Sequence, residues 1–236
     1  MNYLMTAAND IDIMIKGLFS YKLFGQEFWI TTTHISILIV MATIIILAVI
    51  ANRSLAKKEE VPGTIQNIAE LVVEKLDGIV SGSMGENASK FRNYIGCIFI
   101  FIFISNISGI FGLRPPTADY GVTLMLGVIT FVMIQYNGIK VQKGGYFTGL
   151  FKPIPILFPV NVISEFATPV SLSLRLFGNI MSGTVIMALW YAMVPIFFKL
   201  GVPAALHVYF DLFAGAIQTY VFCMLTMTYI QDKMNG

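Results

Sequence analysis

Long stretches without a single Asp, Glu, Lys or Arg constrain this chain more than any other feature. Residues 28–52 form one such run and residues 93–113 another, and each is long enough to cross a bilayer as a helix. The hydrocarbon core offers no water to the backbone, so each crossing segment must satisfy its own N–H and C=O groups, which an α-helix does internally. Only 12% of the 236 residues are charged, against roughly 25% in soluble proteins. The expected fold is an all-α, polytopic membrane protein of about five spanning segments, with an amphipathic surface helix and two long tilted C-terminal helices. Residues 1–236 read as a single membrane domain. The formal charge of +2 is too small to suggest a nucleic-acid partner.

Residues 1–27 are mixed and mildly amphipathic, which predicts a surface helix in an extracytoplasmic N-terminal segment. Asp10 and Asp12 and the lack of a basic n-region argue against a cleaved signal peptide. Trp29 is placed like an interfacial anchor, and Arg53, Lys57 and Lys58 close the first span on the cytoplasmic side, leaving the amino terminus outside. A cytoplasmic loop over 53–90 contains an amphipathic helix, residues 62–82, with Ile65, Ile68, Ala69, Val72, Val73, Leu76 and Ile79 on one face. Too charged to span, it should lie along the membrane surface. The run Ser81-Gly82-Ser83-Met84-Gly85 breaks it.

After the second span, Arg114–Asp119 is a turn. Residues 120–139 cross back to Lys140 and Lys143, and a loop rich in Gly and Pro follows. Two long segments, 160–198 and 202–231, close the chain, each exceeding the roughly 20 residues a crossing needs. Lysine and arginine bias places the carboxyl terminus in the cytoplasm, with Arg114 and Lys199 as exceptions. Cys97 and Cys223 lie in apolar runs without metal-ligand spacing, predicting two buried free thiols. Two histidines, His34 and His207, are too few for a multi-histidine metal site. No GxxxxGK[ST] loop occurs, so no nucleotide chemistry is expected here.

Arg175 stands inside the first of the long segments. A guanidinium near the bilayer centre costs at least about 2.5–3.5 kcal/mol and cannot escape by deprotonating. At helical spacing it shares a face with Ser164, Thr168, Ser171, Asn179 and Ser182. Hydroxyls bonding back to their own helix would explain one such residue; six aligned polar positions predict a wetted surface or a polar helix contact. The last segment carries His207, Asp211 and Gln218 on one face, with Gly215 between them, and His207 and Asp211 one turn apart. An intramembrane carboxylate commonly belongs to a proton or ion relay. Together the two stripes predict two partial paths meeting at a fixed positive charge.

The run Ser171-Leu172-Ser173-Leu174-Arg175-Leu176-Phe177-Gly178-Asn179 resembles the signature of subunit a of F-type ATP synthases. Ala216–Phe222 with Met224-Leu225-Thr226 is similar to that family's last helix, and Pro116–Asp119 with Val122-Thr123-Leu124 is similar too. The likeness covers roughly residues 90–232. It implies an ion-translocating stator subunit in a bacterial cell membrane, set against a ring of c subunits and joined to peripheral-stalk b subunits. It implies no catalytic site, bound cofactor, metal or nucleotide. The translocated ion would be H⁺, with Na⁺ as the alternative. Arg175 would match the essential arginine that separates two half-channels. Asn179 and Gln218 would flank it, and Ser164, Glu165 and Ser171 would line the cytoplasmic path. Asp211, helped by His207, would serve the outer path within the ion-path helices, 160–232, and Asn106, Asp119 and Thr168 join the candidate residues. Relatives often carry a titratable group nine residues after the arginine, where this chain has Thr184.

Two other readings compete on the residues alone. A stand-alone channel or secondary transporter would use Arg175 and Asp211 as gating charges, but no internal repeat supports it. An intramembrane enzyme would need a metal cluster or a nucleophilic motif, and neither is found in the sequence.

Overall fold

The computed structural model describes residues 17–23, 26–55, 63–149, 151, 154–194 and 201–235. Five segments among them are long and apolar enough to cross a membrane: Thr32–Ser54, Thr64–Phe111, Tyr120–Gln142, Pro155–Met193 and Val202–Asn235. The polytopic all-α expectation holds, with one local exception at the start.

Residues 17–23 and 26–31 form two paired β-strands, where a surface helix was expected up to residue 27 and the first span from residue 28. Strands β1 (Gly17–Leu23) and β2 (Gln26–Thr31) pair antiparallel, with Tyr21 opposite Phe28 and Lys22 opposite Glu27. Phe, Tyr, Trp, Ile and Thr favour a pleated surface, and that preference wins over a weak helical pattern. Trp29 lies in β2 and lays its ring over Gly17, where an added Cβ would sit 2.5 Å from the ring. The expectations for residues 1–16, Lys57, Lys58 and Lys199 fall outside the described residues.

Helix α1 (Thr32–Leu55) starts four residues after the expected span. Helix α2 (Thr64–Met84) continues past Ser81 and ends at Gly85, whose φ of +52° suits glycine. A single 3₁₀ turn then leads into α3 (Ala88–Ile107). Arg92 Nε reaches Asp77 Oδ1 at 2.6 Å. In one continuous helix those residues would lie about 22 Å apart at 1.5 Å per residue, so α2 and α3 fold back on each other at Gly85. Of the apolar face expected from the sequence, Ile65, Ile68, Val72 and Val73 remain exposed on α2, and so does Leu71 beside it.

Helix α4 (Tyr120–Gln142) is capped by Asp119, whose Oδ1 accepts from the Gly121 N–H at 2.9 Å. After the short α5 (Gly144–Gly149), helix α6 (Phe158–Met193) runs 36 residues. That is about 54 Å, well beyond a hydrocarbon core of about 30 Å. The final segment is not a plain α-helix. It consists of α7 (Val202–His207), a π-helical stretch over Val208–Ala214, and α8 (Gly215–Asn235).

Helices α4 and α6 are antiparallel. Tyr120 meets Phe177 edge-on at 5.6 Å, Phe131 meets Phe166 at 5.6 Å, and Gln135 bonds Glu165. At the centre, an imagined Cβ on Gly127 would lie 2.6 Å from the Pro169 carbonyl oxygen, so α4 approaches α6 backbone to backbone. Lipid is as apolar as leucine, so helices in a bilayer hold together through close packing and small or hydroxylated side chains at the contacts. Ser105, Thr123, Thr130, Ser173, Thr219 and Thr226 accordingly have no exposed surface. Around them lie Met84, Ile95, Ile102, Leu176, Phe222 and Met227. Cys223 joins that core, whereas Cys97 is exposed on α3; only one of the two thiols expected to be buried is so.

Candidate ion-path site

Helices α6 and the π–α8 segment are antiparallel, and three cross-contacts fix their relative height. Tyr191 touches His207, an imagined Cβ on Gly183 would meet Phe210 at 3.3 Å, and Glu165 pairs with Lys233. Interpolating between them puts Arg175 level with about Gln218–Phe222. Asp211 falls level with Thr184, roughly two to three helical turns away along the axis.

The polar stripe of α6 lies on the side not covered by the rest of the chain. Ser164, Ser171, Arg175 and Ser182 are exposed, and Thr168 and Asn179 are half-buried. Thr168 donates to the Ser164 carbonyl at 3.2 Å, and Ser182 to the Asn179 carbonyl at 2.8 Å, so two hydroxyls do bond back to their own helix. Arg175 has no hydrogen-bond or ion-pair partner among the described residues. Gln218 is buried, and its Nε2 has no acceptor. Leaving a buried donor unmade costs about 1–3 kcal/mol.

At one end of this stripe, Asp211 is held from two sides. His207 Nδ1 is hydrogen-bonded to Asp211 Oδ2 at 2.6 Å, and its Nε2 is hydrogen-bonded to the Tyr191 hydroxyl at 3.3 Å. The carboxyl group presses against Gly109, where an added Cβ would lie 2.9 Å away. Thr184 lies half-buried and donates to the Ile180 carbonyl at 3.0 Å. Below this group, Asn106 donates to the Gly215 carbonyl (3.0 Å) and to Thr219 Oγ1 (3.3 Å), and accepts from Thr117 at 2.7 Å. Asn106 thereby ties α3, the Pro116–Ala118 turn and α8 together, while Ser105 Oγ beside it is buried without a partner.

The sequence expects His207 and Asp211, one turn apart, to pair, and they do. It also expects them to share one face with Gln218, but the π-helical stretch Val208–Ala214, with i→i+5 bonds, resets the count between Asp211 and Gln218. Nothing in the residue types of Val208–Ala214 announces that change, although such bulges are frequent at functional sites.

At the opposite end, Glu165 sits in a cluster that the sequence pattern only half revealed. Gln135 Nε2 donates to Glu165 Oε2 at 2.9 Å, Lys233 Nζ bonds Oε1, and the Tyr146 hydroxyl donates to Gln135. Burial first, and the Glu165 charge second, hold the Tyr146 phenol above its ordinary pKa, so it stays a donor. Ser164, Thr168, Glu165 and Lys233 border a cleft of about 130 Å³ there. Lys233 had been legible only as a topology marker, and Gln135 and Tyr146 carried no signal. Asp119 lies half-buried with Oδ1 occupied in its capping bond.

The chain is similar to known proteins over most of its length. Residues 34–231 match the family described as ATP synthase A chain. ATP synthase subunit a, sodium ion specific, of Propionigenium modestum is 38% identical over 88% of this chain and 75% of its own length. ATP synthase subunit a of Moorella thermoacetica is 35% identical over 84% of this chain and 90% of its own. That of Limosilactobacillus fermentum is 35% identical over 92% and 98%.

Proposed function

The chain belongs to the ATP synthase A chain family, and from that premise we propose that its two polar clusters are the ends of two half-channels separated by Arg175. As an ion-translocating membrane subunit of the synthase it carries no catalytic site and works with the rest of that complex. The outer half-channel reaches Asp211 past Tyr191, His207 and Thr184. The inner one runs from Glu165 and Ser164 along Thr168 and Ser171. Neither passes the arginine.

The observation that carries the proposal is the exposed face of α6. Arg175 stands there with no partner among the described residues, in a row of polar side chains, on a helix otherwise built for lipid. A permanent charge so placed requires an external counter-charge or water. The c-subunit ring supplies the first: its ion-binding carboxylate, once unloaded, is attracted to the guanidinium, and an ion-loaded site is refused. An ion therefore leaves the ring on one side of Arg175 and joins it on the other, and the ring must turn between. The b subunits complete the stator, in a bacterial plasma membrane with the amino terminus outside and the carboxyl terminus in the cytoplasm. The amphipathic α2 lies along the cytoplasmic face.

The carried ion is H⁺ in this reading, moved through water and the Tyr191–His207–Asp211 chain. Na⁺ is the second reading. It is favoured by the sodium-specific relative and by Thr184, whose hydroxyl can ligate a hard cation but cannot relay a proton by titrating. The test of the gate is Arg175→Ala in the reconstituted complex. ATP-driven pumping is expected to vanish while ATP hydrolysis persists; sustained coupled pumping would sink the proposal.

A further inference from the structure

The Glu165 cluster contains its own cation. Lys233 lies on α8, 68 residues along the chain from Glu165, yet its ammonium occupies one carboxylate oxygen while Gln135 occupies the other. The two side chains are only 26% and 19% exposed, so this is not a loose surface pair. Lys233 is also fixed along its length. Its carbonyl accepts from Gln142 Nε2 at 2.8 Å, its Cβ lies against Gly138, and its ammonium stands 5.2 Å from the centre of the Tyr146 ring. The titratable or charged groups around the carboxylate are Lys233, Asp232 and Tyr229 on α8 and Tyr146 on α5, while α4 contributes the neutral Gln135.

The cleft beside this pair has room for several waters. Ser164 and Thr168 on its wall are the first members of the polar row that leads to Arg175. Any cation moving between the cytoplasm and that row passes a carboxylate already neutralised by a tethered ammonium. A group tethered in this way competes at an effective concentration in the millimolar range or above.

We propose that Glu165 is a monovalent-cation site at the cytoplasmic mouth and that Lys233 is its built-in competitor, a tethered cation that an incoming ion must displace and that recloses the site behind a departing one. The proposal rests on the half-channel reading above and adds a residue to it. Lys233 acts by positioning charge; it does not itself carry the ion.

The test uses the whole complex in inverted vesicles, where the cytoplasmic face is outward. The initial rate of ATP-driven pumping is measured against external Na⁺ at fixed pH, and against pH without Na⁺, so the activating cation is identified in the wild type first. In Lys233→Met, the half-saturating concentration of that cation is expected to fall by about fivefold or more, the scale of ordinary coupling between sites. Lys233→Arg should restore the wild-type value, and in a Glu165→Gln background Lys233→Met should shift nothing further. A Lys233→Met complex that pumps with wild-type half-saturation overturns the competitor, as does an equal shift with Glu165 absent. A complex in which Arg175→Ala still pumps would overturn the half-channel reading instead, a separate result.

Discussion

Arg175 and Asp211 are both ionisable residues set in membrane-spanning helices, and the structure gives them opposite circumstances. Asp211 has its needs met inside the chain, by the hydrogen bond with His207 Nδ1 at 2.6 Å and by contact with Gly109. Arg175 has no partner among the described residues and faces outward. The first arrangement suits a group that hands an ion on; the second suits a charge awaiting one that arrives from outside. Asp211→Asn keeps the shape and the His207 contact but removes the negative charge. It should slow transport by at least about tenfold, equivalent to ~1.4 kcal/mol of barrier, read as the initial rate of ATP-driven pumping at unchanged ATPase content. An unaffected rate would mean the outer path runs elsewhere. The arginine was legible in the sequence because cost alone singles it out. Its relation to Asp211 was not, because their heights depend on how two helices cross.

Elements show where a residue pattern suffices and where it stops. The spans were legible to within a few residues, since apolar runs bounded by lysine and arginine leave little choice. The Gly85 break was legible too. The strand pair Gly17–Leu23 and Gln26–Thr31 was not: its strands are too short for a period to emerge, and aromatic residues suit either reading. The π-helical Val208–Ala214 was invisible for a different reason: its residue types are those of an ordinary apolar helix and carry no signal for i→i+5 bonding. Helix contacts such as Gly127 on Pro169 belong to the same class. Gly127→Ala would drive a methyl group into the Pro169 carbonyl, and forcing an extra group into a well-packed contact costs about 1–3 kcal/mol. Thermal denaturation in detergent should show that loss, and a wild-type midpoint would contradict the close approach of α4 and α6.

Across the whole molecule, the two polar clusters stand at opposite ends of the α6–α8 pair. One joins Tyr191, His207 and Asp211; the other joins Glu165, Lys233, Gln135 and Tyr146. Between them Ser173, Gln218, Thr219 and Thr226 are buried among apolar side chains such as Leu176 and Phe222, and Arg175 is the one exposed charge among the described residues of that stretch. A continuous pore through the pair would need polar side chains open to water, whereas the hydroxyls of Ser173, Thr219 and Thr226 are closed off and bond back to their own helices. Two paths that end short of each other need only the outer face of α6 and a partner that rotates past it. That separation is the central claim, and accessibility from each side tests it most directly. In the complete complex with Cys97 and Cys223 replaced by serine, cysteines are placed singly at Ser164 and at Thr184, and a membrane-impermeant thiol reagent is applied to one side at a time. The Ser164→Cys complex should react only from the cytoplasmic side and Thr184→Cys only from the opposite side; either cysteine reacting equally from both sides would contradict the account.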